Sequence, residues 1–132
     1  MRTRLPPLSP ARADTSRYAA FVVDQTTGVV LHSRQSEATR HPASLTKMMT
    51  LYMLFQAMEA GEIGLGDPIR ISADAANAPP SRLDLPIGST ISTEEAIRAL
   101  VVRSANDVAV AVGERLGGTE SGFAAAMTAR AH

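Results

Sequence analysis

Pro42-Ala43-Ser44-Leu45-Thr46-Lys47-Met48-Met49-Thr50 is the stretch on which the reading of this chain turns. Pro42 stands where helices begin, because its fixed φ and missing N–H suit a first turn. From Ala43 to Ala60 the sequence reads as one helix closing at Gly61. Leu45, Met48, Met49, Leu51, Tyr52, Leu54, Phe55 and Met58 put apolar side chains on nearly every face of it. A helix that is apolar all round is expected to be buried beneath other layers.

Ser44 and Lys47 lie one turn apart at the start of this helix, so they share a face and are placed to hydrogen-bond. The 13 Lys and Arg side chains of the chain include one lysine, Lys47. A chain that otherwise uses arginine for every cation has a reason for the exception. Arginine keeps its proton in proteins, whereas lysine is brought to the neutral amine by burial and by neighbouring positive potential. The apolar run and the positive end of the helix dipole both act in that direction. A neutral amine beside a hydroxyl is a nucleophile–base pair. The backbone N–H of Ser44, in the first helical turn, has no partner inside the helix and can face an oxyanion formed on Ser44. Such a hole takes two donors, and the sequence locates one. Ser-x-x-Lys is a weak motif alone, and a helix-start serine followed by a solvated lysine is the plain alternative.

A second constellation, Ser104-Ala105-Asn106, falls in a break between two helical stretches. Its plain reading is a helix end, with Asn106 or Asp107 capping the helix that follows. A turn of this kind also presents a hydroxyl and an amide together at the lip of a cleft. There Ser104 can relay a proton to a leaving group and Asn106 can bind a substrate amide.

Outward from these two points the organisation is mixed. Tyr18 to Asp24 and Gly28 to Ser33 are β-prone runs around Gln25-Thr26-Thr27, a predicted hairpin with Gly28 free to take a positive φ. Arg34 to Arg40 reads as loop. Ile63 to Pro86 is rich in Gly, Pro, Asp and Ser, an expected surface excursion with one β-like stretch at Ile69-Arg70-Ile71. Ser92-Thr93-Glu94-Glu95 is a capping box, predicting a helix to about Val102. Asp107 to Leu116 predicts the next helix, closed by Gly117-Gly118, and Thr119 caps a last one running to His132.

Composition excludes several classes. Acidic and basic residues cancel at 13 each, without a basic stripe, so a nucleic-acid partner is not expected. There is no cysteine, hence neither disulfides nor thiolate metal ligands. His32, His41 and His132 are too scattered for a metal site, and no cofactor is expected. Gly61, Gly64 and Gly66 lack the Lys-Ser/Thr of a phosphate loop. The methionines of 48–58 read as core filling, and the acid pairs Glu94-Glu95 and Glu59/Glu62 as helix-end charges. No apolar run is long enough for a transmembrane helix. Arg2, Arg4 and Ala11-Arg12-Ala13 resemble parts of an export leader, but Leu5-Pro6-Pro7-Leu8 stands where its apolar segment belongs. Residues 1–17 are therefore read as a leader remnant or disordered tail, and 18–132 as the catalytic part.

The segment 42–50 closely resembles the nucleophile region of the D-alanyl-D-alanine carboxypeptidases, the low-molecular-mass penicillin-binding proteins. Ser104-Ala105-Asn106-Asp107 is similar to their second motif, Leu85-Pro86-Ile87-Gly88-Ser89 to the lead-in of the intervening helix, and Phe21-Val22-Val23-Asp24 with Gly28 to their opening hairpin. The likeness runs from about Tyr18 to the chain end, and the ordered set is more specific than any one motif. It implies an α+β fold of the β-lactamase/DD-peptidase kind, an antiparallel sheet with helices on both faces, of which this sequence supplies the hairpin and the helical region. It implies that Ser44 attacks a terminal D-Ala-D-Ala bond of a peptidoglycan stem peptide. Lys47 takes the Ser44 proton, Ser104 passes a proton to the departing D-alanine, and β-lactam antibiotics acylate Ser44. It also implies an extracytoplasmic or periplasmic site of action, in cell-wall synthesis and cell shape.

The family's third motif, Lys-Thr-Gly, has no counterpart in these residues, and three core strands and a last helix would be missing with it. The expectation is an N-terminal portion, inactive and marginally folded by itself, with a complementing C-terminal fragment as one possible partner. Two other readings stay open: a non-catalytic remnant that binds peptidoglycan or a partner protein, and a fragment of a serine β-lactamase.

Overall fold

A computed structural model describes residues 18–131, in two compact units that divide after His41. In the first unit, β1 (Ala20–Val23) pairs antiparallel with β2 (Val30–Arg34), with Phe21 opposite Ser33 and Val22 opposite His32. A bulge interrupts the register between Val22 and Val23. The turn is organised by Asp24, whose Oδ1 accepts from the Thr27 hydroxyl at 2.6 Å and from the Thr27 and Thr26 N–H groups. The Thr27 hydroxyl first, then these amides, holds the Asp24 carboxyl below its ordinary range. Gly28, at φ +71, closes the turn, as its position predicted. The predicted leader remnant at 1–17 lies outside the described residues.

The second unit holds the site. Its first turn, Ala43–Leu45, is 3-10, and α1 follows as Thr46–Glu59. The predicted single helix from Ala43 is thus two pieces, with Ala43 at φ +50, a left-handed value disfavoured for an alanine. The expectation of all-round burial also needs correcting. Leu54 is fully buried and Thr50 and Ala57 nearly so, but Leu45, Met48, Tyr52 and Phe55 are about half or more exposed, a stripe along one side of the helix.

Residues 63–92 are more ordered than their composition suggests. β3 (Pro68–Arg70) pairs antiparallel with β4 (Thr90–Ser92), and Ile69 meets Ile91 at its centre. Both isoleucines are buried, so each of these short strands points one residue inward between two that are more exposed. Ser72 caps a one-turn helix α2 (Ala73–Ala76), accepting from Ala75 N–H at 2.9 Å. The predicted capping box is present: Ser92 Oγ accepts from Glu95 N–H, and the Glu95 carboxylate accepts from Ser92 N–H. It opens α3 (Thr93–Arg98), which passes into a π turn at Ala99–Arg103. α4 (Asn106–Gly117) and α5 (Glu120–Ala131) complete the unit. Gly118 ends α4 at φ +75, and Thr119 Oγ1 accepts from Gly122 N–H at the head of α5. One core joins the elements from α1 to α4, with Leu54 of α1, Ile63, Ile69, Ile71, Leu100, Val108 and Val112 among its members.

Candidate active site

The π turn sets the site's geometry. A π turn widens the helix locally and commonly marks a functional position. Here it ends at Ser104, which takes the left-handed conformation (φ 51, ψ 40) and turns the chain sharply into α4. The turn carries Ser104 to the start of α1, where its hydroxyl donates to Ser44 Oγ at 2.9 Å. Two residues on, Asn106 opens α4, and its Oδ1 accepts from Lys47 Nζ at 2.6 Å. The structure therefore brings Ser44, Lys47, Ser104 and Asn106 together as two hydrogen-bonded pairs across two chain segments. Ser44 is exposed, whereas Lys47, Ser104 and Asn106 are half-buried.

The partners are exchanged relative to the helical-face expectation. Ser44 is held by Ser104 and Lys47 by Asn106. The reason is local: Ser44 lies in the 3-10 turn and Lys47 in the α-helix proper, so the two do not occupy successive positions of one regular helix.

Asn106 is also tied from its other end. Its Nδ2 donates to Pro79 O at 2.9 Å and Pro80 O at 3.0 Å, and its backbone N–H to Ser81 O at 2.7 Å. A carboxamide has two N–H donors, and both are used here, so its oxygen must point at Lys47. What Asn106 retains for a substrate amide is the second lone pair of Oδ1. The segment 79–83 is fastened to the same turn by Ser81 Oγ, which donates to Arg103 O at 2.9 Å. Asp107, fully buried, accepts from Leu83 N–H at 2.9 Å. Both features differ from the sequence expectation of a loose surface excursion over 63–86 and of Asn106 or Asp107 as a simple helix cap. Pro79-Pro80, a pair without N–H donors, is the signal in the sequence for a segment that offers carbonyls. Beneath Lys47 and Asn106 opens a cavity of about 350 Å³, walled by Thr50, Pro79, Val110 and Phe123 among others.

Among the described residues no group of His, Asp and Glu is placed to hold a metal ion. No helix among them is long and apolar enough to cross a membrane.

The fold is that of the penicillin-binding proteins and D-alanyl-D-alanine carboxypeptidases. The structure matches a D-alanyl-D-alanine carboxypeptidase DacD from Francisella tularensis with a TM-score of 0.80 at 29% identity, over 98% of this chain and 32% of the other. It matches penicillin binding protein 5 from Haemophilus influenzae with a TM-score of 0.76 at 29% identity, over 85% and 33%. In sequence, it is 32% identical to D-alanyl-D-alanine carboxypeptidase DacF of Bacillus subtilis, covering 86% of this chain and 29% of the relative. It is 34% identical to DacA of Escherichia coli, covering 81% and 28%. Residues 7–132 match the family described as D-alanyl-D-alanine carboxypeptidase, and the chain belongs to that family. It spans about a third of the length of these relatives.

Proposed function

We propose that this chain supplies the nucleophile-bearing N-terminal part of a serine-type D-Ala-D-Ala carboxypeptidase that trims peptidoglycan stem peptides on the extracytoplasmic side. The observation that carries the reading is the meeting of Ser44 with Ser104, and of Lys47 with Asn106, across segments about 60 residues apart. Membership of the family supports it.

In this reading Ser44 Oγ attacks the carbonyl carbon of the terminal D-Ala-D-Ala peptide bond while its proton passes to Lys47 as the neutral amine. Asn106 holds that amine by its oxygen and orients it. The tetrahedral oxyanion faces the backbone N–H of Ser44. Collapse breaks the C–N bond: Ser104, already on Ser44 Oγ, gives its proton to the departing D-alanine nitrogen and takes back from Lys47 the one that came from Ser44. Water then hydrolyses the ester and returns Ser44. A β-lactam follows the same first step: its ring C–N bond opens, the acyl group stays on Ser44, and the ring nitrogen takes the proton.

The test is the intact mass of the purified chain after incubation with benzylpenicillin, beside Ser44→Ala. A gain of one penicilloyl group, absent in the variant, would support Ser44 as the nucleophile and overturn the expectation that this portion is inactive by itself. No gain in either would agree with that expectation, and repeating the incubation with a complementing C-terminal fragment then decides: an adduct on Ser44 supports the carboxypeptidase reading, and its absence favours a non-catalytic peptidoglycan- or protein-binding role.

A further inference from the structure

We propose that Asp107 is a positioning residue: it clamps segment 79–83 onto the Ser104–Asn106 turn, and thereby sets the direction in which Asn106 presents its oxygen to Lys47. Only the kinetic arm of this inference rests on the catalytic reading above. Asp107 is fully buried, and among the described residues it has no ion-pair partner. A carboxyl group so placed is held by the N–H groups around it. One of these is Val108 N–H, on Oδ1 at 2.9 Å, within its own helix. The other is Leu83 N–H, on Oδ2 at 2.9 Å, from a segment 24 residues earlier.

That second bond is the informative one. A helix cap needs no such partner, and an apolar side chain would fill the space without desolvating a carboxyl group. Between Leu83 and the two carbonyls that hold Asn106, of Pro79 and Pro80, lie two residues. Ser81 fastens the same segment at Arg103 O and at Asn106 N–H. Release at Leu83 therefore loosens the carbonyls that consume both Asn106 N–H donors. An Asn106 free to rotate can turn its NH2 toward Lys47, donor facing donor, in place of the acceptor.

The experiment reads hydrogen exchange by NMR on the full chain at three places: the Leu83 amide, the Asn106 carboxamide and, as a fold control, the Val112 amide of the buried core. Asp107→Ala removes the acceptor. Leu83→Pro removes the donor and leaves Asp107 in place. Asp107→Asn keeps the volume and one acceptor. In both Asp107→Ala and Leu83→Pro the Asn106 carboxamide is expected to exchange about tenfold faster or more, the loss of one ordinary hydrogen bond. The Leu83 amide follows in Asp107→Ala, with Val112 unchanged, and Asp107→Asn, which keeps one acceptor and sets its NH2 against the other N–H, falls between Asp107→Ala and wild type. Unchanged Asn106 protection in a folded Asp107→Ala or Leu83→Pro overturns the clamp. So does a loss of Val112 protection equal to that of Asn106 in both, which would make Asp107 an element of the core alone.

For chain that acquires the penicilloyl adduct, Asp107→Ala is expected to lower the acylation rate at saturating benzylpenicillin about tenfold with the half-saturating concentration little changed. A wild-type chain that acquires none is inactive by itself, as expected of this portion, and leaves the clamp to the exchange data.

Discussion

Lys47 Nζ and Asn106 Oδ1 lie 2.6 Å apart, joining the first turns of α1 and α4 through the one lysine of the chain. The contact is half-buried, and the Asn106 oxygen points to it because both its N–H donors are engaged elsewhere. Replacing Asn106 by Ala removes at once the acceptor from Lys47 and the two side-chain bonds to Pro79 O and Pro80 O, and leaves the backbone bond to Ser81 O. The expected cost is about 1–3 kcal/mol of unfolding free energy, the range for leaving a buried hydrogen-bonding partner unsatisfied. Urea denaturation of the two proteins measures it, and a difference within error would remove Asn106 from the scaffold.

Ser104→Ala separates structure from chemistry. Its hydroxyl makes one bond, to the exposed Ser44, so stability should change by no more than about 1 kcal/mol. Penicilloyl transfer to Ser44 should slow by about 10²–10⁴-fold, the usual contribution of a positioned proton carrier. Time-resolved intact mass gives the rate. An unaltered rate would leave Ser104 as a hydrogen-bond partner of Ser44 and nothing more.

Neighbouring positions on α1 should respond very differently. Leu54 is fully buried in the core and Phe55 is 49% exposed. Leu54→Ala should cost about 2–5 kcal/mol through lost burial and a cavity, whereas Phe55→Ala should cost well under half of that. Similar losses at both positions, by thermal or urea unfolding, would mean that the stripe containing Phe55 is covered in solution.

Gly117→Ala pits helix propensity against space. A Cβ at Gly117 would meet Phe123 N and Phe123 Cα at 2.6 Å, and backbone atoms cannot swing aside as a side-chain tip can. The propensity gain from alanine is at most about 1 kcal/mol and smaller at a helix end, while overpacking costs about 1–3 kcal/mol. The clash wins, so the melting temperature should fall. A rise would show that α5 does not pack on α4 as described.

Acid should loosen the head of α3. The Ser92 hydroxyl, then the Ser92 N–H, hold the Glu95 carboxyl below its ordinary range, with Arg98 adding in the same direction. A depressed folded value means that the stabilisation is fully present above the ordinary carboxylate value and is lost as pH falls through the folded one. Glu95→Gln should flatten that part of the stability–pH curve below about pH 4.5. An unchanged acid limb would assign it to other carboxyls.

Much of this was legible in the residues because local chemistry decided it. The hairpin followed from its β-prone runs and Gly28, the start of α3 from Ser92 and Glu95, and the ends of α4 from Asp107 and Gly118. The fold class followed from the motifs in their order. Three things were not legible. The pairing of β3 with β4 rests on one inward isoleucine in each strand, too short a pattern for alternation to register. The exposure of Met48 and Phe55 depends on what packs against α1, and an apolar side chain does not state whether it has a neighbour. The exchange of partners among Ser44, Lys47, Ser104 and Asn106 depends on a 3-10 turn meeting a left-handed serine, which no local propensity specifies.

The π turn at Ala99–Arg103 has a consequence for how this segment can vary in length. An α-helix advances about 100° per residue, so the widened turn holds one residue more than a regular helix would over the same rise. Deleting one residue within the turn would let it relax to α over the same rise, and the hydroxyl at its end would stay near Ser44. Inserting one, with that slack already used, would swing the hydroxyl by about 100°. Stretches such as 35–40 can gain or lose residues at little cost, but the interval from Ser92 to Ser104 tolerates a change of length in one direction only. Natural or engineered variants should shorten it by one residue before they lengthen it.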